Sequence, residues 1–187
     1  MSDTDRVRWN KKYKSISIPT DPLDIVVENI HLANGNKALD IACGMGRNSR
    51  YLASHGFEVD AIDISSVAIS NLQDIPNIYP KEVDLDSYKL PKDSYDLIVC
   101  TYYLNRSLFP QMIEALRDGG LLIFETFISH PDSKKAPSNP LFLLKQGELI
   151  EYFDTKLKII KSDEYWSEDH MGNRAMKGYI VATTLSH

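Results

Sequence analysis

The sequence predicts an α/β fold built on a mostly parallel β-sheet. Short apolar runs alternate with segments of helical spacing along the 187 residues, a pattern typical of strand–helix–strand units. Residues 95–100 are apolar apart from Tyr95 and Asp96, as expected of a strand that helices cover on both faces. Hydrophobic residues make up 43% of the chain and charged residues 25%, so the composition suits one globular domain spanning 1–187.

The predicted elements follow one another in a regular order. Strands are expected at 37–41, 57–62, 79–83, 95–100, 121–126, 156–162 and 176–183. Helices are expected at 23–31, 47–55, 108–117 and 147–153, with a further helix capped by Ser65 or Ser66. The segment 129–140 contains three prolines and is the longest expected loop, and such loops often cover binding sites.

Charge and cysteine content narrow the classes of partner. A net charge of −5 argues against a broad nucleic-acid surface. Cys43 and Cys100 lack the spacing of a metal site or a disulfide framework, so we expect buried thiols in a reducing compartment and no bound metal. The chain shows no signal peptide and no apolar run of the ~18 residues that a membrane span needs. We therefore expect a cytoplasmic monomer or homodimer with a small-molecule partner, and neither nucleic acid nor membrane.

The most informative stretch is the turn that follows the first predicted strand. Gly44 and Gly46 lie between an apolar run and a helical pattern, and they let the backbone approach a ligand closely because they carry no Cβ. The second strand ends in an acid, Asp63, 17 residues after Gly46. A carboxylate at about this spacing reaches a ribose hydroxyl in nucleotide-binding α/β folds. The pattern therefore indicates a site for an adenosine-containing ligand.

These residues also carry a family resemblance. The segments 38–48 (ALDIACGMGRN) and 61–65 (AIDIS) resemble motifs I and II of class I S-adenosylmethionine (SAM) dependent methyltransferases. Arg-Asn-Ser after the glycines is similar to the tellurite-resistance-type methyltransferases, and 82–85, 95–100 and 118–123 follow in the family's order. Ala42 replaces the first glycine of the common Gly-x-Gly-x-Gly pattern. The resemblance implies a Rossmann-like sheet of seven strands with helices on both faces and the last strand antiparallel.

The resemblance implies SAM as the cofactor and S-adenosylhomocysteine as its product. Asp63 would accept hydrogen bonds from the ribose hydroxyls, and Asp84 with Leu85 would meet the adenine. Arg47 suits the methionine carboxylate, although a solvated surface arginine is an equal alternative. The other expected cofactor-binding residues surround the glycine turn and the methyl region: Tyr13, Asp40, Gly44, Gly46, Ile64, Thr101 and Tyr102.

The N-terminal segment, 1–18, is expected to be a lid. Trp9 and Tyr13 are four residues apart and so share one face of a helix. Tyr13 resembles the aromatic residue of the family's Trp-x-x-x-Tyr entry segment, which folds over the cofactor. Simple packing of the two rings onto the domain is the alternative.

Basic residues near the expected carboxyl edge are candidates for holding the methyl acceptor. Arg174 resembles part of the basic hairpin that faces the methyl donor in the tellurite-resistance type. Arg106, His170 and His130 lie on other segments expected at the same edge, and each could instead be exposed. The Asn-Pro-Pro-Tyr signature of nucleic-acid methylating enzymes is absent after the fourth strand, so we expect a small acceptor such as a chalcogen oxyanion, a thiol or a small metabolite.

Three other interpretations compete with a methyltransferase. A nicotinamide dinucleotide site would have a third glycine where this chain has Ser49, which disfavours an NAD-dependent oxidoreductase. A non-catalytic SAM-binding or SAM-sensing module would share the same motifs. A purely structural turn without a ligand is the remaining possibility. Methyl transfer itself needs an in-line arrangement of donor and acceptor more than an added acid or base, so few conspicuous catalytic side chains are expected.

Overall fold

A seven-stranded sheet organises the molecule, in the order β3-β2-β1-β4-β5-β7-β6. The computed structural model describes residues 3–17, 20–169 and 171–185. The strands are β1 (Lys37–Ile41), β2 (Glu58–Asp63), β3 (Ile78–Glu82), β4 (Tyr95–Thr101), β5 (Leu116–Phe127), β6 (Leu157–Glu168) and β7 (Arg174–Thr184). Strand β7 pairs antiparallel with both β5 and β6, so it runs against the other six. The predicted Rossmann-like α/β fold with an antiparallel last strand is confirmed.

Short helices connect and cover the strands. They are α1 (Asp3–Ser15), α2 (Asp24–Val27), α3 (Arg47–Ser54), α4 (Ser66–Ser70), α5 (Phe109–Ala115) and α6 (Glu148–Phe153), with 3-10 turns at Ile30–Leu32, Arg106–Leu108 and Pro140–Phe142. Ser65 accepts a hydrogen bond from the Ala68 amide and so caps α4, one of the two predicted positions. No helix within the described ranges is long and apolar enough to cross a membrane.

Two apolar cores cover the sheet, one on each face. Along β4, Ile98 and Cys100 belong to one core and Leu97 and Val99 to the other, as the period of two in a strand requires. Helices α5 and α6 contribute to the first core, and α2, α3 and α4 contribute to the second. Because both faces are covered, the sheet leaves its carboxyl edge as the place where a ligand can approach.

Several element bounds differ from those expected. The helix predicted at 23–31 is interrupted at Asn29, which is buried and donates its side-chain amide to the Ile25 carbonyl. Strand β5 begins at Leu116, not at 121, so the two adjacent glycines that predicted a turn lie inside the strand. A register shift against β4, between Tyr95 and Leu97, accommodates them.

The hairpin of β6 and β7 is longer than expected. Strand β6 continues to Glu168, and β7 already begins at Arg174, because the two strands pair with each other over their whole length. These outer residues alternate little in polarity, so the sequence pattern gave no sign of the extension.

Candidate functional site

A cavity of about 250 Å³ lies at the carboxyl ends of β1, β2 and β4. Strands β1 and β4 are neighbours in the sheet, whereas the chain passes through β2 and β3 between them. Ligands of open α/β sheets bind at such a reversal of strand order. The wall of the cavity is formed by Trp9, Lys12, Tyr13, Ile16, Ala42, Cys43, Gly44, Met45, Arg47, Asn48, Asp63, Ile64, Thr101, Tyr102 and Tyr103.

The glycine turn after β1 has three residues in the left-handed region. The φ angles are 53° at Ala42, 55° at Gly44 and 79° at Gly46. A non-glycine residue pays about 1 kcal/mol or more in this conformation, which explains why glycine is common at the position of Ala42. A Cβ on Gly44 would lie 2.9 Å from the Tyr13 hydroxyl, and one on Gly46 would lie 2.3 Å from Leu72 Cδ2. Gly44 therefore borders the cavity, while Gly46 packs against the core.

Asp63 joins the turn after β1 to the loop after β2. Its Oδ2 accepts a hydrogen bond from the Gly44 amide at 2.9 Å, and its Oδ1 accepts one from the Ser65 amide at 2.8 Å. The side chain is only 6% exposed, and burial raises the pKa of its carboxyl group while the backbone amides oppose that shift. The Ile64 amide also favours the ionised form, and a carboxylate has about four acceptor sites, so Asp63 can still accept a hydrogen bond from a ligand.

Asp40 lies beneath the turn and is fully buried. Ser49 donates a hydrogen bond from its hydroxyl to Asp40 Oδ2 at 2.5 Å. Burial raises the pKa of Asp40 to about 7 despite this contact. Ser49, which stands where a dinucleotide site would have glycine, thus has a defined role here: it anchors the start of α3 to β1.

Tyr102 forms the wall of the cavity beyond β4. Its φ angle is 59°, and its ring stacks on Phe127 with the centroids 5.1 Å apart. The Arg47 guanidinium lies 5.2 Å from the centre of the same ring, and Thr101 accepts a hydrogen bond from the Asn48 amide group at 3.1 Å. Arg47, Thr101 and Tyr102 are thus brought together on one side of the cavity.

Behind Tyr102 lies a group of buried polar side chains that the sequence analysis did not identify. Lys177 donates a hydrogen bond to the Tyr102 hydroxyl at 2.6 Å, and its Nζ lies 3.9 Å from Glu125 Oε1. Tyr165 donates to Glu125 Oε2 at 3.0 Å. We call Tyr102, Glu125, Tyr165 and Lys177 the Glu125 cluster. Its one signal in the sequence is a carboxylate within the run 121–127, which is otherwise apolar except for Thr126.

Helix α1 lies over the opening of the cavity although none of its residues is buried. Asn10 accepts hydrogen bonds from the Ser65 hydroxyl at 2.6 Å and from the Val67 amide at 3.3 Å. Trp9 and Tyr13 stack with their centroids 5.5 Å apart, and both contribute to the cavity wall. The predicted shared face of the two aromatic residues is confirmed, and Asn10 is the residue that attaches this helix to the domain.

Arg106 lies outside the cavity wall, contrary to its expected place beside the acceptor. Its guanidinium forms a two-pronged ion pair with Glu148, and it also donates to the carbonyls of Leu141 and Leu143 at 3.2 and 2.9 Å. Hydrogen bonding to Arg106 lowers the pKa of Glu148. The carboxylate lies 42 residues away in sequence, so no local pattern could predict the pair.

The other acceptor candidates lie on the hairpin of β6 and β7 and on the adjoining loop. The Arg174 guanidinium lies 4.5 Å from the ring centre of Trp166 and 4.0 Å from Asp132, and about half of its side chain is exposed. His130 packs edge-on against the same Trp166, with ring centroids 4.7 Å apart. His170 falls outside the described residues. This basic and aromatic group stands apart from the cavity wall.

Asp84 and Leu85 lie just after β3. Asp84 Oδ1 accepts a hydrogen bond from the Asp86 amide at 3.0 Å, while the Leu85 side chain is buried in the core. Neither contributes to the cavity wall as it stands. Within the described part of the chain, no three His, Cys, Asp or Glu side chains come together as metal ligands would.

Comparison with known proteins agrees with this geometry. The family model described as "Tellurite resistance protein TehB" matches residues 3–181. A probable S-adenosyl-L-methionine-dependent methyltransferase TehB of Haemophilus influenzae is 29% identical over 157 residues, which cover 78% of this chain and 53% of the relative. The chain therefore spans about half the length of the curated relatives that it matches.

Solved structures show the same architecture. The crystal structure of TehB from Haemophilus influenzae superposes with a TM-score of 0.74 at 26% identity, over 96% of this chain and 67% of that one. The fold alone is shared with a putative S-adenosylmethionine-dependent methyltransferase from Listeria monocytogenes, at a TM-score of 0.68 and 16% identity over 86% of this chain and 96% of the other. With the family model covering nearly all of its length, the chain belongs to the TehB family.

Proposed function

We propose that this protein is a SAM-dependent methyltransferase that acts on a small-molecule acceptor. The observation that carries the proposal is the Asp63 carboxylate at the cavity, hydrogen-bonded to the amide of Gly44 where the backbone is open to a ligand. Bound SAM would supply a methyl group already activated by a positive sulfonium. The protein then has to bind the methyl donor and the acceptor, orient them in line and exclude water, and the cavity suits these tasks.

The residues fit an adenosine-containing ligand. Asp63 accepts from the ribose hydroxyls with its free lone pairs, and Gly44 leaves room for the ligand because a Cβ there would fill the space below Tyr13. Arg47 binds the methionine carboxylate, because a guanidinium matches a carboxylate in two hydrogen bonds. Ile64 packs against the adenosine, and Thr101 and Tyr102 border the methyl group.

Two further assignments depend on small movements after binding. Asp84 and the amide of Leu85 meet the adenine from the end of β3, next in the sheet to the strand that ends in Asp63. Helix α1 closes over the cofactor through Trp9 and Tyr13. Its lack of buried residues, with Asn10 as a hydrogen-bonding contact to Ser65, supports a helix that can open and close.

The acceptor is a chalcogen oxyanion or a thiol. Arg174 on the hairpin is half exposed, and its guanidinium lies 4.0 Å from Asp132, at the outer limit of an ion pair. It can therefore exchange that partner for an anionic acceptor that comes over the carboxyl edge. Arg106 is committed to Glu148 and has no part in this proposal. We place the reaction in the cytoplasm, since Cys43 and Cys100 are free, buried thiols.

Two measurements test the proposal. SAM should raise the melting temperature of the protein and NADH should not, because only a ligand that binds the folded state stabilises it. The protein should then transfer a labelled methyl group from SAM to selenite, tellurite or small thiols. Stabilisation by SAM without transfer to any of these acceptors or to small amines would favour a SAM-sensing module. Stabilisation by NADH alone would overturn the proposal.

A further inference from the structure

The Glu125 cluster presents a buried acid and a buried base directly behind the cavity. Glu125 on β5 and Lys177 on β7 have side chains that are 4% and 13% exposed. Strand pairing places Glu125 opposite Tyr179 and Phe127 opposite Lys177, so the lysine reaches back across the sheet to the carboxylate. Removing two charges from water costs several kcal/mol, and replacing such a pair by apolar residues often leaves a protein as stable or more so. Stability alone is therefore a weak reason for the cluster.

Several titratable groups in the described part of the chain surround Glu125. Tyr102 after β4, Tyr165 on β6, Lys177 on β7 and Arg47 at the start of α3 all act on its carboxyl group. Tyr179 lies opposite it on β7, and Glu125 contributes to raising the pKa of that phenol. Burial raises the pKa of Glu125, whereas Lys177, the two tyrosine hydroxyls and Arg47 all stabilise its ionised form. Burial likewise lowers the pKa of Lys177. The carboxylate is thus poised to take up a proton more readily than one in water.

Tyr102 connects this cluster to the cavity. Tyr102 belongs to the cavity wall, and its hydroxyl oxygen accepts a hydrogen bond from Lys177. The hydrogen bond between the Tyr102 hydroxyl and the Glu125 carboxylate favours the ionised form of Glu125. Tyr102 also holds a left-handed backbone conformation, with φ 59°, that a bulky residue seldom adopts without a functional reason. Its amide donates to the Glu125 carbonyl at 2.8 Å, so backbone and side chain both tie it to β5.

We propose that Tyr102, Lys177 and Glu125 form a relay that takes the proton of a protic methyl acceptor. This inference rests on the proposed methyl transfer and names the kind of acceptor that the site takes: a thiol, or another group that carries a proton on its nucleophilic atom. Tyr102 contacts the acceptor, and Glu125 takes up the proton. The Lys177 ammonium orients the Tyr102 hydroxyl and the Glu125 carboxylate.

The step balances without a further reactant. The acceptor's heteroatom forms a bond to the methyl carbon with its lone pair, and the carbon–sulfur bond breaks with its electron pair passing to the sulfonium sulfur. The heteroatom gives its proton to the Tyr102 oxygen while the tyrosine's own proton passes to the Glu125 carboxylate. The products are the methylated acceptor, a neutral thioether and a protonated Glu125, which returns its proton to solvent when the cavity opens.

The first test requires no turnover. Infrared difference spectra between wild type and Glu125→Gln, recorded with S-adenosylhomocysteine across a pH series, follow the ionisation of Glu125 alone. We expect an ionised carboxylate at neutral pH, with a midpoint above the ordinary value of about 4.3. Tyr102→Phe should raise that midpoint, because it removes a hydroxyl that favours the ionised form. A Glu125 that is protonated at neutral pH, or that does not respond to Tyr102→Phe, would overturn the relay.

Tyr95→Phe is the matched control for the tyrosine. Tyr95 also donates from a buried phenol to a carboxylate, Asp60, but at the opposite edge of the sheet. Tyr95→Phe should lower the thermal stability about as much as Tyr102→Phe does, without moving the midpoint of the Glu125 titration. An equal midpoint shift in both variants would mean that the titration reports general loosening of the fold, which would overturn the relay.

The second test uses acceptor acidity. An alkyl thiol is mostly protonated at neutral pH, whereas an acidic aryl thiol is already a thiolate and needs no base. Glu125→Gln should lower kcat for the alkyl thiol by about 100-fold and for the aryl thiol by far less. Glu125→Asp should recover part of the rate. An equal loss of kcat with both thiols would overturn the relay but leave thiols as acceptors. If wild type transferred no methyl group to either thiol, both the relay and the thiol acceptor would be overturned.

Discussion

The two edges of the sheet carry the same three kinds of side chain, in different surroundings. At the amino edge, Lys37 pairs with Asp60 at 2.7 Å and Tyr95 donates to the other oxygen of Asp60 at 2.9 Å. At the carboxyl edge, Lys177, Glu125 and Tyr102 form the corresponding set. The side chains of Lys37 and Asp60 are 25% and 30% exposed, against 13% for Lys177 and 4% for Glu125.

The difference shows that residue types alone do not make a site. The amino-edge set borders a shallow, open depression, where water solvates the charges and the ion pair contributes little. The carboxyl-edge set adjoins a less open cavity bounded by a glycine turn and by Asp63. Low exposure strengthens every electrostatic interaction there, so the same chemistry becomes available for binding and proton transfer.

The largest effect is expected from a side chain at Gly44. Gly44→Val should abolish detectable SAM binding, because the residue has φ 55° and its Cβ would press on the Tyr13 hydroxyl. Gly56→Val is the control: it has φ 88°, and a Cβ added there would meet nothing within 4 Å, so it should cost stability and leave SAM affinity unchanged. Titration calorimetry measures both. Normal SAM binding by Gly44→Val would mean that the carboxyl edge is not set apart from the amino edge as the cofactor site.

A smaller effect is expected when two carboxylates of β2, Asp63 at its end and Asp60 within it, are compared. Asp63→Ala should weaken SAM binding by tens of fold, since hydrogen bonds to a charged group contribute about 1.5–3 kcal/mol. Asp60→Ala removes a carboxylate from the same strand at the amino edge and should leave the dissociation constant within a factor of about 2. Equal losses in calorimetry would show that Asp63 acts through the fold and not through the ligand.

Loosening α1 should have a modest effect. Asn10→Ala removes the hydrogen bonds to Ser65 and Val67 that attach this helix, so it should weaken SAM binding by a few fold. Limited proteolysis should cut α1 readily in both proteins without SAM, and SAM should protect wild type more than the variant. Lys11→Ala, an exposed change on the same helix, serves as the control. Equal cleavage with and without SAM would mean that α1 is fixed packing and not a lid.

A further prediction concerns not ligand binding but the pH dependence of stability at the buried Asp40. Its pKa is about 7 in the folded protein and near 4 in an unfolded chain, so folding binds a proton between those values. The free energy of unfolding should therefore fall as pH rises from about 4 to 7, by on the order of 3 kcal/mol from this residue. Asp40→Asn should flatten that dependence in urea titrations. An identical slope in both proteins would contradict a protonated Asp40.

Local signals in the sequence predicted the central strands of the sheet and two residues that line the cavity at its carboxyl edge, Gly44 and Asp63. Gly44 and Asp63 were found because turn chemistry and strand ends are encoded within a few residues, and the structure joins the two by a hydrogen bond. Asn29 interrupts a predicted helix through a buried contact that helical periodicity does not reveal. Local patterns set strands and turns, and tertiary contacts decide where they stop.

The other contacts that the sequence did not reveal depend on which strands become neighbours in the sheet. Glu125 and Lys177 meet because β7 inserts beside β5, and residues 52 positions apart in the chain carry no shared local signal. Arg106 is likewise engaged by a distant carboxylate, Glu148. Basic residues at a sheet edge can therefore be placed from sequence, but whether their charge is free for a ligand depends on partners that only the fold supplies.

The central claim is that the cavity at the carboxyl edge holds the cofactor. A crystal structure of the protein with S-adenosylhomocysteine tests it most directly. We predict the ribose hydroxyls within hydrogen-bonding distance of the Asp63 carboxylate, the amino-acid portion of the ligand passing over Gly44, and the sulfur facing the Tyr102 side of the cavity. A ligand bound anywhere else, such as the amino-edge depression beside Asp60, or an empty cavity at saturating ligand, would contradict the account.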